Sequence, residues 1–201
     1  MGRWEPNARG RLMQAAFALY GERGFEQTTV AEIAKRAGLT ERTFFRHFAD
    51  KREVLFAGAD ALRELLLSTV ADAPESLAPI DAAALGLQAA GALIQEGGEF
   101  ARQRQAIIAS SAELQERELI KLASLAVALA EALRRRGVDD TAASLTAEAG
   151  IAVFKVAFGR YVEETNQQDL PRLIRESLDE LEAVTRSRGA RAQRAQAGRR
   201  N

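Results

Sequence analysis

Between Gly24 and Lys51 the chain compresses two helix starts and a helix stop into one short interval, and no other feature limits its fold so sharply. Thr29-Val30-Ala31-Glu32 is a capping box, with the hydroxyl satisfying a free amide while Glu32 reaches back to the chain, and Val30, Ile33, Ala34 and Ala37 follow as one apolar stripe. Gly38 stops that helix, and Thr40 caps a third running from Glu41 to about His47. Upstream, Leu12, Ala15, Ala16, Leu19 and Tyr20 recur at helical spacing from about Pro6 to Arg23, and Gly24 closes the run. A short helix, a Gly-containing turn and a second short helix have the spacing of a helix-turn-helix, whose second helix lies in the DNA major groove while the first braces it.

The wheel of the third helix shows which side would face DNA. Phe44 and Phe48 lie one turn apart and are predicted to pack inward against Val30, Ile33 and Leu55, leaving Arg42 and Arg46 outward with Thr43, Phe45 and His47 on the flanks. An outward Arg can bond bidentately to guanine O6 and N7, and an aromatic edge or a Thr methyl can touch the thymine methyl, so Arg42 and Arg46 are the candidates for base reading, with Thr43 and Phe45 beside them. Thr29, Thr40, His47 and Lys51 sit at helix starts or at the rim, where hydroxyls, amides and cations hold phosphates and fix register.

Asp50-Lys51-Arg52-Glu53 reads as a box opening a fourth helix that carries Val54, Leu55, Leu62, Leu65 and Leu66 and ends before Pro74, a mechanical link into a larger domain. After a loop with Pro74 and Pro79, helices are predicted near 80–96, 99–109, 112–136, 140–164 and 170–186. Ser110 with Glu113 is expected to cap the 112–136 helix, whose stripe is Leu119, Leu122, Ala126, Leu129 and Leu133; Gly137 stops it, and Asp169 with Pro171 starts the last. Val, Ile, Thr and the aromatics never form alternating runs bounded by turns, so the fold class is all-α, with about nine helices. The expected division is a DNA-binding domain over 1–52, a helical ligand-binding and dimerisation domain over 53–186, and a disordered Arg-rich tail over 187–201. Within the larger domain Phe100, Arg104, Phe154 and Phe158 are the candidate ligand contacts, set against the plainer reading of aromatics as core and charges as solvated surface.

The formal net charge is zero, but residues 1–58 hold 10 Lys+Arg against 7 Asp+Glu, residues 59–185 hold 12 against 21, and residues 186–201 hold six Arg and no acid. A basic end module on an acidic body suits a protein that offers one face to phosphate. With no cysteine and a single histidine, neither a disulfide framework nor a Cys/His metal site is expected, and no cofactor is implied. The N-terminal residues lack an apolar signal-peptide core and no stretch approaches about 18 uninterrupted apolar residues, so a cytoplasmic protein without a membrane span is expected. An enzyme would need a nucleophile and base; with no Cys and the only His in the DNA-facing helix, none is expected.

Thr28-Thr29-Val30, Ile33-Ala34, Ala37-Gly38-Leu39-Thr40, Arg42-Thr43-Phe44-Phe45, His47-Phe48 and Lys51 together resemble the signature of the TetR family of repressors, without a gap, over roughly residues 8–56. The resemblance implies a homodimer with an N-terminal DNA-binding domain and a helical C-terminal domain for ligand and dimerisation, here through the eighth and ninth helices. The stretches Arg102–Ile108 and Ala112–Leu119 loosely resemble the C-terminal domains of actinobacterial TetR regulators linked to acyl-coenzyme A ligands. Two positions depart from the family pattern: Phe45 stands where a Tyr is frequent and so offers only apolar contact, and Arg42 replaces a frequent Gly, implying a different base preference. The expected function is sequence-specific regulation of transcription, by a repressor released from a palindromic operator by an unknown small molecule. A ligand-activated regulator uses the same parts, and a constitutive architectural DNA binder is the alternative.

Overall fold

A computed structural model describes residues 7–197, with side chains described to Arg186. The described residues form nine helices and no strand: α1 (Ala8–Arg23), α2 (Val30–Arg36), α3 (Glu41–His47), α4 (Ala59–Asp72), α5 (Pro79–Glu96), α6 (Gly98–Ala109), α7 (Ala112–Arg135), α8 (Asp140–Val162) and α9 (Leu170–Ala197). They divide into two compact units, Met1–Ala61 with Gly97–Lys121, and Leu62–Glu96 with Leu122–Asn201. The start expected for the first helix at Pro6 lies outside the described residues.

The first unit is built on large apolar side chains. Leu12, Ile33 and Phe44 are fully buried, and Phe17, Phe25, Phe48, Val54, Leu55 and Phe56 join them in one core. Burying each of these larger side chains contributes about 1.5–3 kcal/mol. Ile107 and Ile108 of α6 and Leu114 of α7 belong to the same core, so residues 97–121 pack with the first unit although they lie within the stretch assigned from sequence to the larger domain.

The fourth helix starts later than its capping signal implies. Asp50 Oδ1 does accept from the backbone N–H groups of Arg52 (2.8 Å) and Glu53 (3.2 Å). The chain then runs through tight turns, Leu55 N–H to Arg52 C=O, Phe56 to Glu53 and Ala57 to Val54, before α4 begins at Ala59. Val54, Leu55 and Phe56 are all buried, and these turns deliver the three consecutive side chains to the core of the first unit.

The second unit is a packing of α5, α8 and α9 through small residues. Ala82, Ala83 and Ala90 of α5 and Ala143, Ala147, Gly150 and Ala157 of α8 are buried. At Gly86 a Cβ would stand 2.8 Å from the Leu66 carbonyl oxygen and 2.7 Å from Val70 Cγ2, so only glycine lets α5 approach α4 this closely. Arg136 closes the C-terminal end of α4, donating to the carbonyls of Val70 (3.0 Å), Ala73 (2.5 Å) and Pro74 (2.8 Å). α8 is long and apolar enough to cross a membrane by length and composition, the one such helix among the described residues, yet Ala143, Ala147, Gly150, Ile151, Val153, Ala157 and Tyr161 on it are buried against protein.

Three local expectations are corrected. Ser110 does not open α7 but closes α6, its hydroxyl donating to Ile107 C=O at 2.8 Å. Leu119 is 56% exposed, because here α7 turns Leu114, Arg117, Glu118 and Lys121 inward, and the charged members of that face are held in ion pairs. The backbone of α9 continues as helix to Ala197, where a disordered tail was expected from 187; Arg, Ala and Gln are strong helix formers, and lack of an apolar stripe removes packing rather than helicity. Expected contacts of the tail's arginines, and residues 198–201, lie outside the described side chains and residues.

Candidate nucleic-acid interface

The capping chemistry read from the sequence shapes the site. Thr29 Oγ1 accepts from Glu32 N–H at 3.3 Å while Thr29 N–H donates to Glu32 Oε2 at 2.9 Å, fixing the start of α2. The Thr29 N–H and the Thr29 hydroxyl, which donates to Glu32 Oε2 at 2.9 Å, together with Arg23 hold the Glu32 carboxyl below its ordinary range. Gly38 has φ 66°, and the Leu39 N–H returns to Ala34 C=O at 2.8 Å, so the chain leaves α2 through a left-handed residue that L side chains rarely adopt. Thr40 Oγ1 then accepts from Thr43 N–H at 3.2 Å and opens α3.

On α3 the two faces separate. Phe44 is fully buried and Phe48 nearly so, their rings 5.5 Å apart, while Arg42, Arg46 and Phe45 are exposed, Phe45 at 55%. Phe45 meets the edge of Phe44 at 84°, which holds an apolar ring upright beside the two arginines. Thr29 and Thr40 are exposed at the starts of α2 and α3, and Thr43 is half-buried. Glu22 and Arg36 form a two-pronged pair at 2.5 and 2.6 Å and Arg23 meets Glu32 at 2.6 Å; both pairs tie α1 to α2 but are too exposed to weigh much in stability.

Two of the expected phosphate contacts, Lys51 and His47, are less free than the sequence suggests. The Lys51 ammonium donates to the carbonyls of Phe25 (2.9 Å), Thr28 (3.0 Å) and Glu26 (3.4 Å) and lies 4.2 Å from the centre of the Phe25 ring. Its three protons therefore brace the loop before α2 rather than point outward. His47 is half-buried, and its Nε2 is enclosed without a hydrogen-bond partner. The sequence reading also missed the side chains that hold the motif from behind: Arg11 donates to Ala37 C=O at the turn, Arg9 to Ala57 C=O at 2.6 Å, and Tyr20 to Lys51 C=O at 2.6 Å. Burial, with Asp50 nearby, pushes the Tyr20 phenol above its ordinary pKa. Only the apolar stripe of α1 was legible; these polar tips act on partners 26 to 48 residues away.

The candidate ligand contacts divide between the units. Phe100 stacks on Phe17 with ring centres 3.9 Å apart, and Arg104 donates to Leu55 C=O at 2.7 Å and to Glu118 at 2.9 Å, all inside the first unit. Burial pulls the Arg104 pKa down against the opposing pull of Glu118. Phe154 and Phe158 lie in the second unit, half-buried and stacked at 5.8 Å.

A capped three-helix unit that buries one side of a short helix and exposes arginines on the other defines a helix-turn-helix DNA-binding protein. The signature of bacterial regulatory proteins of the tetR family matches residues 12–57, and that of the MftR C-terminal domain matches residues 77–186. The chain belongs to the TetR family of transcriptional regulators, a family of regulators and not of enzymes. It is 34% identical over 89 residues to the HTH-type transcriptional regulator TcmR of Streptomyces glaucescens, covering 44% of this chain and 39% of TcmR. It is 43% identical over 47 residues to the HTH-type transcriptional repressor KstR2 of Mycobacterium tuberculosis, covering 23% of this chain and 24% of KstR2, so it spans well under half of either relative. SmeT, the repressor of a Stenotrophomonas maltophilia multidrug efflux pump, solved in complex with triclosan, has the same fold, with a TM-score of 0.64 at 23% identity over 88% of this chain and 90% of SmeT.

Proposed function

We propose that this regulator is a homodimeric repressor that reads a palindromic operator through α3 and is released by a small molecule bound in the second unit. The observation that carries the reading is the two-sidedness of α3: Phe44 and Phe48 anchor it, while Arg42, Phe45 and Arg46 stand exposed on it. In this reading Arg42 and Arg46 contact guanines, Phe45 and Thr43 contact thymine methyls, and Thr29 and Thr40 contact phosphates. His47 and Lys51 contribute by shaping the rim. Residues 1–52 make the contacts, and 53–61 with 97–121 support them.

Dimerisation through α8 and α9 is supported by apolar side chains left uncovered in one chain. Leu145 and Val156 of α8 are 66% and 59% exposed, Ala149 and Ala152 lie between them at heptad spacing, and Val184 of α9 is 53% exposed. Two copies related by a two-fold axis would set the half-sites about 34–36 Å apart or a multiple of one turn. For the effector, Phe154 and Phe158 are the retained contacts, since Phe100 and Arg104 are engaged inside the first unit; stacked aromatics suit an apolar or acyl-bearing molecule, the chemistry of the sequence resemblance and of triclosan in SmeT. To regulate, the effector must prefer the DNA-incompetent state. The protein acts in the cytoplasm, where its DNA is.

Selection from a pool of random-core duplexes, with sequencing of the retained fraction, tests the reading. Recovery of a palindrome supports it; sequence-blind retention contradicts it and favours an architectural binder.

A further inference from the structure

The turn Asp50–Phe56 comes after α3 and is gripped from one side by α6 and the start of α7. Arg104 Nε donates to Leu55 C=O at 2.7 Å, its Nη1 to Glu118 at 2.9 Å, and its guanidinium lies 5.0 Å from the Phe56 ring centre. Glu53 receives Arg117 at 2.6 Å and Lys121 at 3.1 Å, and Arg52 reaches Glu113 at 2.8 Å. Around these, Phe100 stacks on Phe17, Ser111 donates to Glu26 at 3.1 Å, and Ile107, Ile108 and Leu114 complete the core that holds Phe44 and Phe48. Arg52–Glu113 is exposed on both sides, whereas Arg104 and Glu118 are only 21% and 24% exposed. Removing the Arg104 guanidinium would strip a carbonyl and a partly buried carboxylate of their partner at once, which makes it the centre of the clasp.

We infer that Arg104 is a positioning residue for DNA recognition, clasping α6 and the first part of α7 to the turn behind α3 so that residues 97–121 open and close as one body with the helix-turn-helix. The inference rests on the proposal that α3 reads DNA. It assigns Arg104 a role in which any movement of α6, which is joined to α5 through Gly97, reaches the recognition helix through the Leu55 carbonyl and the Phe48–Phe56 core. Under linkage, DNA that binds only the closed body must slow every opening of that body, including openings that expose α6.

Hydrogen exchange of the full chain, free and with a duplex recovered from the selection at about 100 times its Kd, reads this directly. In the parent protein, amides of α2, α3 and α6 that exchange through opening of the body should slow together, by up to about 100-fold. In Arg104→Met the α2 and α3 amides should still slow on DNA while those of α6 do not. Arg104→Lys, which keeps the charge but not the fork, should behave the same way with a smaller gap between the helices. Slowing of α2 and α3 without α6 in the parent protein, or equal slowing of α6 in both variants and parent, overturns the inference. Failure of α2 and α3 themselves to slow would sink the DNA-reading proposal, and the inference with it.

Discussion

The two units solve the same problem with opposite materials. The first fixes short helices with side-chain caps and fills the space behind them with Phe17, Phe25, Phe44 and Phe48, whereas the second brings long helices together over Ala83, Gly86, Ala147 and Gly150. Short helices have little stability of their own, so their position must come from caps and from a shape-specific core. Long helices form readily, and their need is for close approach. The first unit is therefore vulnerable to loss of volume and of single polar bonds, the second to added volume.

That contrast can be broken at its strongest point by Phe44→Ala. The ring is enclosed by its core neighbours and shielded from water, so truncation should destabilise by about 3–5 kcal/mol in urea unfolding and abolish DNA binding at ordinary temperatures. A loss below about 1 kcal/mol would mean that the core does not hold α3. For the second unit the telling change is the reverse: Gly86→Val puts atoms into the Leu66 carbonyl and Val70, and should lower stability by about 1–3 kcal/mol. A neutral result would show that α4 and α5 are free to separate.

Ion pairs and caps in the first unit give smaller effects. Asp50 is held below its ordinary carboxyl range chiefly by the Arg52 side-chain bond, and Glu53, whose burial alone would raise it, is held below by Arg117 and Lys121. A lowered carboxyl pKa gives stability that is present above its unfolded value and lost as pH falls through the folded one, so the first unit should weaken as pH falls through and below the ordinary carboxyl range. Glu53→Gln should flatten part of that dependence; an unchanged pH profile would deny the ion pairs any weight. Least in size, Thr29→Ala and Thr40→Ala should each cost about 1 kcal/mol of thermal stability, with Ser and Asn restoring most of it.

Legibility in the sequence tracks the range of the forces involved. Caps, stops and stripes act within a few residues, so Thr29, Thr40, Gly24, Gly38, Gly137 and the inward turn of Phe44 and Phe48 were readable, and helix ends stand beside those signals. Lys51 was not, because its partners are carbonyls 23 to 26 residues earlier, and a cation next to a DNA-facing helix looks the same on paper whether it points out or in. The places of Arg104 and Phe100 were hidden for the same reason: an Arg and an aromatic on a middle helix suit a ligand, and only the tertiary partners Leu55, Glu118 and Phe17 reveal their place in the first unit. Ser110 carried a genuine cap signal, but the nearer carbonyl of Ile107 took its hydroxyl.

Base reading by the exposed arginines of α3 can be tested atom by atom. Replacing each guanine of the selected duplex in turn by 7-deazaguanine removes the N7 acceptor, and fluorescence anisotropy of the parent protein, Arg42→Ala and Arg46→Ala on these duplexes measures which arginine meets which base. At one guanine per half-site for each arginine, the analogue should weaken the parent by about 1–3 kcal/mol and leave the corresponding variant unaffected. Losses that add at every guanine, with the variants changing only the salt dependence of binding, would contradict base reading and return both arginines to the phosphate backbone.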